Sequence, residues 1–213
     1  MPKNDKRITK PLDKAPVGVS MILLTGPSGA GKSRIAALFK KRGWEHLDGD
    51  ALAKSLYVPG TPLMRLLKKE FGAGVIGAGG CLDTKRLGEI VFPDPGRRAV
   101  LNRMVHPRLL RLLKTKVRQV RARGGSLVAD LPVYFEMGAP ELGMPIVLVQ
   151  APERVRIERL TAMGVPVGRA RARARALRFG AAERRASAAV LDGTLPAGEN
   201  LTLLKRKLGL RIR

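Results

Sequence analysis

An α/β fold built on a parallel sheet is the class this sequence predicts, and three observations predict it. Short apolar runs at 19–25, 126–130, 146–150 and 188–191 have the length of buried parallel strands. Helical patterns separate them, as parallel strands joined by crossovers require. Between the first run and the first helix lies Gly26-Pro27-Ser28-Gly29-Ala30-Gly31-Lys32-Ser33, which fits G-x-x-x-x-G-K-[ST].

That loop organises the chain. Its glycines allow a tight backbone whose N–H groups turn inward around phosphate oxygens, and the helix from Lys32 adds the positive end of its dipole. Lys32 can reach the outer phosphates of a nucleotide, and the Ser33 hydroxyl suits a Mg²⁺ bridging two of them. The helix is credible in itself, with Ile35, Leu38 and Phe39 on one face and Gly43 as its stop.

Residues 44–47 read as a second strand that delivers Asp48-Gly49-Asp50 to its carboxyl end, where open parallel sheets bind ligands. One carboxylate would point toward the metal or its waters, and the other would accept a proton from an attacking hydroxyl. The same residues also read as a turn followed by an Asp N-cap. His46 reads as a strand residue. Thr61-Pro62 opens a helix with Leu63, Leu66 and Leu67 inward, residues 72–82 read as a Gly-rich loop, and Asp83 or Thr84 caps a short helix. Phe92-Pro93-Asp94-Pro95 breaks it, and another helix begins near Gly96. His106-Pro107 is expected to interrupt that helix and start the next, with His106 a helix-start residue and Leu109, Leu110, Leu113, Val117 and Val120 on one face. The strandless stretch 50–124 reads as a helical insertion that holds a second substrate.

Residues 126–130 return to the sheet and end in Asp130, the pattern of a strand that brings an acid near Mg²⁺. Pro132 to Glu136 reads as a turn, 146–150 as a strand and 152–163 as a helix. Arginine then alternates with alanine from Arg169 to Arg178, a helical run with little apolar face. It reads equally as a lid closing over phosphates, a solvated face or a contact for RNA backbone. A last strand at 188–191 and a closing helix at 196–209 complete the chain.

At 213 residues, the sequence suits one α/β domain at 19–213 after a basic extension at 1–18. Lysine and arginine number 41 against 17 acids, a formal charge of +24 that attracts polyanions without choosing among them. Aromatics make up only 4%, few for stacking on bases, so no specific nucleic-acid partner is expected. One cysteine, Cys81, excludes an internal disulfide and fits a reducing compartment. No apolar run approaches the roughly 18 residues of a membrane span, and a cytoplasmic location without membrane attachment is expected.

Taken together, the loop, Asp48-Gly49-Asp50-Ala51-Leu52-Ala53-Lys54, Gly60-Thr61-Pro62, Asn102-Arg103-Met104-Val105-His106-Pro107 and Asp130-Leu131-Pro132-Val133-Tyr134-Phe135-Glu136 resemble dephospho-CoA kinase in order and spacing over residues 20–163. The resemblance implies a P-loop three-layer α/β/α fold with a five-stranded parallel sheet, a helical substrate-binding insertion at 50–124 and a small lid at about 159–185. It implies transfer of the γ-phosphoryl of ATP to the ribose 3′-hydroxyl of dephospho-CoA. Residue by residue, it makes Asp50 the base, supported by Asp48, and Lys32 the neutraliser of charge on the phosphoryl group. Gly26 to Ser33, Arg34 and Arg159 would hold ATP, and Asp50, Lys54, His106 and Pro132 the acceptor. Ser33 and Asp130 would hold Mg²⁺, partly through water, with a monomer favoured. Lys54 and Met163 stand where the family usually has Arg, and Arg178-Phe179-Gly180, Ala186-Ser187 and Asp192-Gly193 depart from its C-terminal blocks. Another small-molecule P-loop kinase, or a weakened nucleotide-binding protein with a basic RNA-contacting surface, are the alternatives.

Overall fold

The computed structural model describes residues 19–177 and 179–210. The basic extension 1–18 and Arg178 of the arginine run lie outside the described residues. The strands are β1 (Met21–Thr25), β2 (Glu45–Asp48), β3 (Leu127–Asp130), β4 (Ile146–Gln150) and β5 (Ala189–Asp192). All pair in parallel, in the order β2-β3-β1-β4-β5. The helices are α1 (Lys32–Lys40), α2 (Gly49–Lys54), α3 (Pro62–Phe71), α4 (Thr84–Val91), α5 (Pro95–Ala122), α6 (Glu153–Ala162), α7 (Val167–Ala176), α8 (Ala181–Ala186) and α9 (Ala197–Leu208).

The sequences of β1, β3 and β4 are apolar at successive positions because both faces are covered, whereas the edge strand β2 is polar and largely exposed. Ile22, Leu24, Val128, Val147, Val149 and Leu191 pack with Ile35 and Phe39 of α1 and with Leu201, Leu204 and Leu208 of α9. Leu23, Leu127, Ala129 and Leu148 alternate with them onto the opposite face and are as deeply buried. Each such Leu, Ile or Val side chain contributes about 1.5–3 kcal/mol. Phe39 and Trp44 close the end of α1 with ring centroids 4.7 Å apart.

The chain divides into two compact units, one being Gly49–Lys116 and the other the described residues before and after it. In the first, Leu63, Met64, Leu67 and Phe71 of α3 pack with Leu87 and Val91 of α4. Thr61 caps α3, its Oγ1 accepting from the Met64 N–H at 3.4 Å, and Pro62 follows at the first helical position. Asp83 caps α4 by accepting from the N–H groups of Lys85 and Arg86 at 3.1 and 3.0 Å. The expected loop at 72–82 contains two 3₁₀ turns, Ala73–Val75 and Ala78–Gly80.

The break expected at His106-Pro107 does not occur: α5 runs through Pro107 for 28 residues. Proline removes one N–H donor and crowds the preceding turn. Arg108 lies beside the lesion and its Nη1 donates to the Met104 carbonyl at 2.6 Å. Buried Val105, Leu109, Leu113, Val117 and Val120 keep one continuous apolar stripe on both sides of the proline, and packing outweighs the local penalty. His106 is therefore mid-helix, not at a helix start. The arginine run is helical, and its apolar face is two alanines wide. Ala170 and Ala174 are buried against Leu160 of α6, and Arg169, Arg171, Arg173 and Arg175 are exposed. Helix α8 was not legible in the alanine- and arginine-rich sequence around it.

Candidate active site

The phosphate loop leaves β1 at Gly26 and enters α1 at Lys32. Gly26 has φ 137°, and a Cβ there would stand 2.1 Å from the Val149 carbonyl oxygen, so only glycine fits. Gly31, at φ 104°, precedes α1; no side chain caps the helix and no acid stands in its first turn. That end keeps its positive dipole for an anion. Lys32 is 7% exposed, and its Nζ donates to the carbonyls of Gly26 at 2.9 Å and Pro27 at 3.2 Å. Pro27 and Ala30 are buried, Ser28 and Gly29 are half-buried, and Ser33 and Arg34 are exposed on the first turn.

Asp130 ends β3 as the register partner of both Leu24 in β1 and Asp48 in β2. The two carboxylates therefore stand side by side on the carboxyl edge of the sheet, the edge from which the loop rises. Thr25, fully buried, donates from Oγ1 to the Pro132 carbonyl at 3.3 Å, tying the end of β1 to the turn after β3. Among the described residues no group of three or more His, Cys, Asp or Glu is gathered to cage a metal. Ser33 and Asp130 offer hard oxygens, a donor set that fits Mg²⁺, which takes its remaining ligands from phosphate and water. Burial lowers the pKa of His46, while the Asp48 carboxylate pulls it up and Lys40 pushes it down.

Asp50, Lys54 and His106 belong to the unit Gly49–Lys116. Asp50 lies in the first turn of α2, inside the helix rather than at an N-cap, and Lys54 in the last turn; both are exposed. His106 is half-buried on α5, and burial holds its pKa below the ordinary value.

Arg159 of α6 does come to the loop: Nη1 donates to the Gly29 carbonyl at 3.1 Å and Nη2 to the Gly193 carbonyl at 2.8 Å. One helical turn away, the buried Arg156 donates from Nε to the Ala151 carbonyl at 3.0 Å and from Nη1 to the Ala174 carbonyl. Burial lowers its pKa, with Glu153 opposing. Arg156 lines a cavity of about 1010 Å³ together with Pro27, Gln150, Phe179 and Asp192. Sequence reading missed Arg156, Gln150 and Gly193. Gly193 had a usable signal in Asp192-Gly193-Thr194 between the last strand and Pro196, whereas nothing in sequence separates Arg156 from its exposed neighbours.

A glycine cradle at a helix N-terminus, with a buried lysine and two carboxylates on the carboxyl edge of a parallel sheet, defines a P-loop kinase. The dephospho-CoA kinase family model matches residues 20–193. The chain belongs to that family. A dephospho-CoA kinase of Anaeromyxobacter dehalogenans is 40% identical over 141 residues, 66% of this chain and 67% of the relative. One of Streptomyces avermitilis is 36% identical over 191 residues, 87% of this chain and 89% of its own length. Among solved structures, the Thermus thermophilus protein TT1252 superposes with a TM-score of 0.71 at 31% identity, covering 90% of this chain and 98% of its own.

Proposed function

We propose that this chain transfers the γ-phosphoryl group of ATP to the ribose 3′-hydroxyl of dephospho-CoA, yielding coenzyme A. The phosphate loop carries the phosphoryl-transfer part of the reading, a backbone cradle with Lys32 lying along it, and the family match over residues 20–193 supports the acceptor. Phosphoryl transfer asks mainly for in-line positioning and stabilisation of charge, which this arrangement supplies.

In this reading the N–H groups of residues 28–33 hold the β- and γ-phosphates. Lys32 exchanges its two loop carbonyls for phosphate oxygens and neutralises charge on the transferring group, and Arg34 and Arg159 add positive field. Asp50 accepts the 3′-hydroxyl proton, and Asp48 supports it and the metal site. Lys54, His106 and Pro132 hold the acceptor, with the compact unit Gly49–Lys116 supporting the reading of 50–124 as the acceptor-binding part. Ser33 and Asp130 would hold Mg²⁺, Asp130 partly through water. When bound there, the ion would supply positive charge that offsets the charge of the phosphate oxygens. The exposed arginines of α7 support a lid at about 159–185, and a monomer acting on small molecules in the cytoplasm completes the proposal.

The test is ADP release from Mg-ATP with and without dephospho-CoA, with adenosine, AMP and shikimate as comparison acceptors. Release that depends on dephospho-CoA, with coenzyme A identified by mass, is the expected result. Equal or greater release with another acceptor would reassign the substrate, and none with any acceptor would overturn the reading.

A further inference from the structure

The phosphate loop does not rest on its own glycines alone. Behind it lies the turn Asp192-Gly193-Thr194, which leaves β5 and leads to α9. A Cβ on Gly193 would stand 1.7 Å from the Ala30 carbonyl oxygen, so the two backbones touch with no room for a side chain. A Cβ on Gly31 would in turn stand 3.2 Å from the Gly193 carbonyl oxygen. The turn is tied from every side. Gly193 N–H donates to the Gln150 carbonyl at 2.7 Å, and Thr194 donates its N–H and hydroxyl to Asp192 Oδ1 at 2.8 and 2.7 Å. From behind, Asn200 of α9, 1% exposed, donates from Nδ2 to the Asp192 carbonyl at 2.8 Å. Its Oδ1 is buried without a hydrogen-bond partner among the described residues. A buried unsatisfied oxygen is costly, and an apolar side chain of similar volume would avoid that cost. Arg159 completes the frame by joining the Gly193 carbonyl to the Gly29 carbonyl.

We infer that Gly193, held by Asn200 and joined to the loop by Arg159, is a positioning residue that sets where the phosphate loop presents its N–H groups to the nucleotide. This rests on the loop being the ATP site. Phosphate recognition by backbone donors depends on where they stand, and a misplacement of about 1 Å costs up to roughly a hundredfold in rate. The frame thus holds the loop from outside, in addition to the bonds of Lys32 within it.

The experiment measures Kd for Mg-ATP and for dephospho-CoA separately, with Tm, in Gly193→Ala and Asn200→Leu. Expected is a loss of ATP affinity of about tenfold or more in Gly193→Ala, and a smaller loss in Asn200→Leu, with dephospho-CoA affinity held within about twofold. Tm should fall only modestly in Asn200→Leu, since the change removes the unsatisfied oxygen together with the bond to the Asp192 carbonyl. ATP affinity unchanged in both, or both affinities falling in step with Tm, overturns the inference. Should Gly193→Ala fail to fold, Asn200→Leu still decides it by the same split. Wild-type protein that binds no Mg-ATP would instead remove the kinase reading and this inference together.

Discussion

The phosphate loop and the unit Gly49–Lys116 place functional groups by opposite means. In the loop the working atoms are backbone, and their positions follow from close approaches: Gly26 against Val149, Gly193 against Ala30. In the helical unit the proposed working atoms are the side chains of Asp50 and Lys54 on α2 and of His106 on α5. A site made of backbone is broken by adding an atom where two backbones touch. A site made of side chains is broken at one residue and tolerates change around it.

The largest expected effect breaks the helical half of this contrast. Asp50→Asn should lower kcat by about 10²–10⁴ and leave the Kd of Mg-ATP within about twofold, read by steady-state kinetics and calorimetry. Unchanged turnover would remove Asp50 as the base. Next, Gly26→Ala tests the loop half. The added Cβ meets Val149 at 2.1 Å and φ is 137°, so a loss of about 3 kcal/mol in unfolding free energy is expected, with ATP affinity lost at the same time. Ordinary denaturation and ordinary nucleotide binding would show that the close approach is not obligatory.

Smaller changes sharpen the comparison. Thr61→Ala removes the α3 cap and should cost about 1 kcal/mol in denaturant unfolding, while Thr61→Ser stays near wild type. ATP affinity should not move in either. The smallest effect is a pH dependence at His106. Burial lowers its pKa beneath the ordinary 6.5, so as pH falls the unfolded chain takes up the proton first. Above that value the group is neutral in both states and contributes nothing; below it, stability is lost progressively until the folded-state pKa is passed. His106→Gln should therefore shrink the fall in Tm between about pH 7 and about pH 5, and an unaltered fall would assign it to other groups.

Local rules made most of the elements legible before any coordinates. Thr61-Pro62 and Asp83 announced two helix starts through caps that form as expected. The apolar runs announced strands, and the loop announced its strand-to-helix setting. Pro107 misled because its penalty is local, while the stripe Val105, Leu109, Leu113 is rewarded only by burial that sequence does not display. The arginine run was ambiguous for a similar reason: two alanines carry all of its packing, and alanine is also a common surface helix residue.

By itself, then, the sequence determined the chemistry on offer: a phosphate cradle with its lysine and serine, acids at strand ends, an excess of positive charge, and a family signature. These are short-range patterns, in which residue type and spacing suffice. Only the tertiary structure decided that Arg159 ties Gly29 to Gly193, that Arg156 is buried beneath α7, and that Gly193 lies against Ala30. Those contacts join segments far apart in the chain, and their energies depend on distances of tenths of an ångström, which no local pattern encodes.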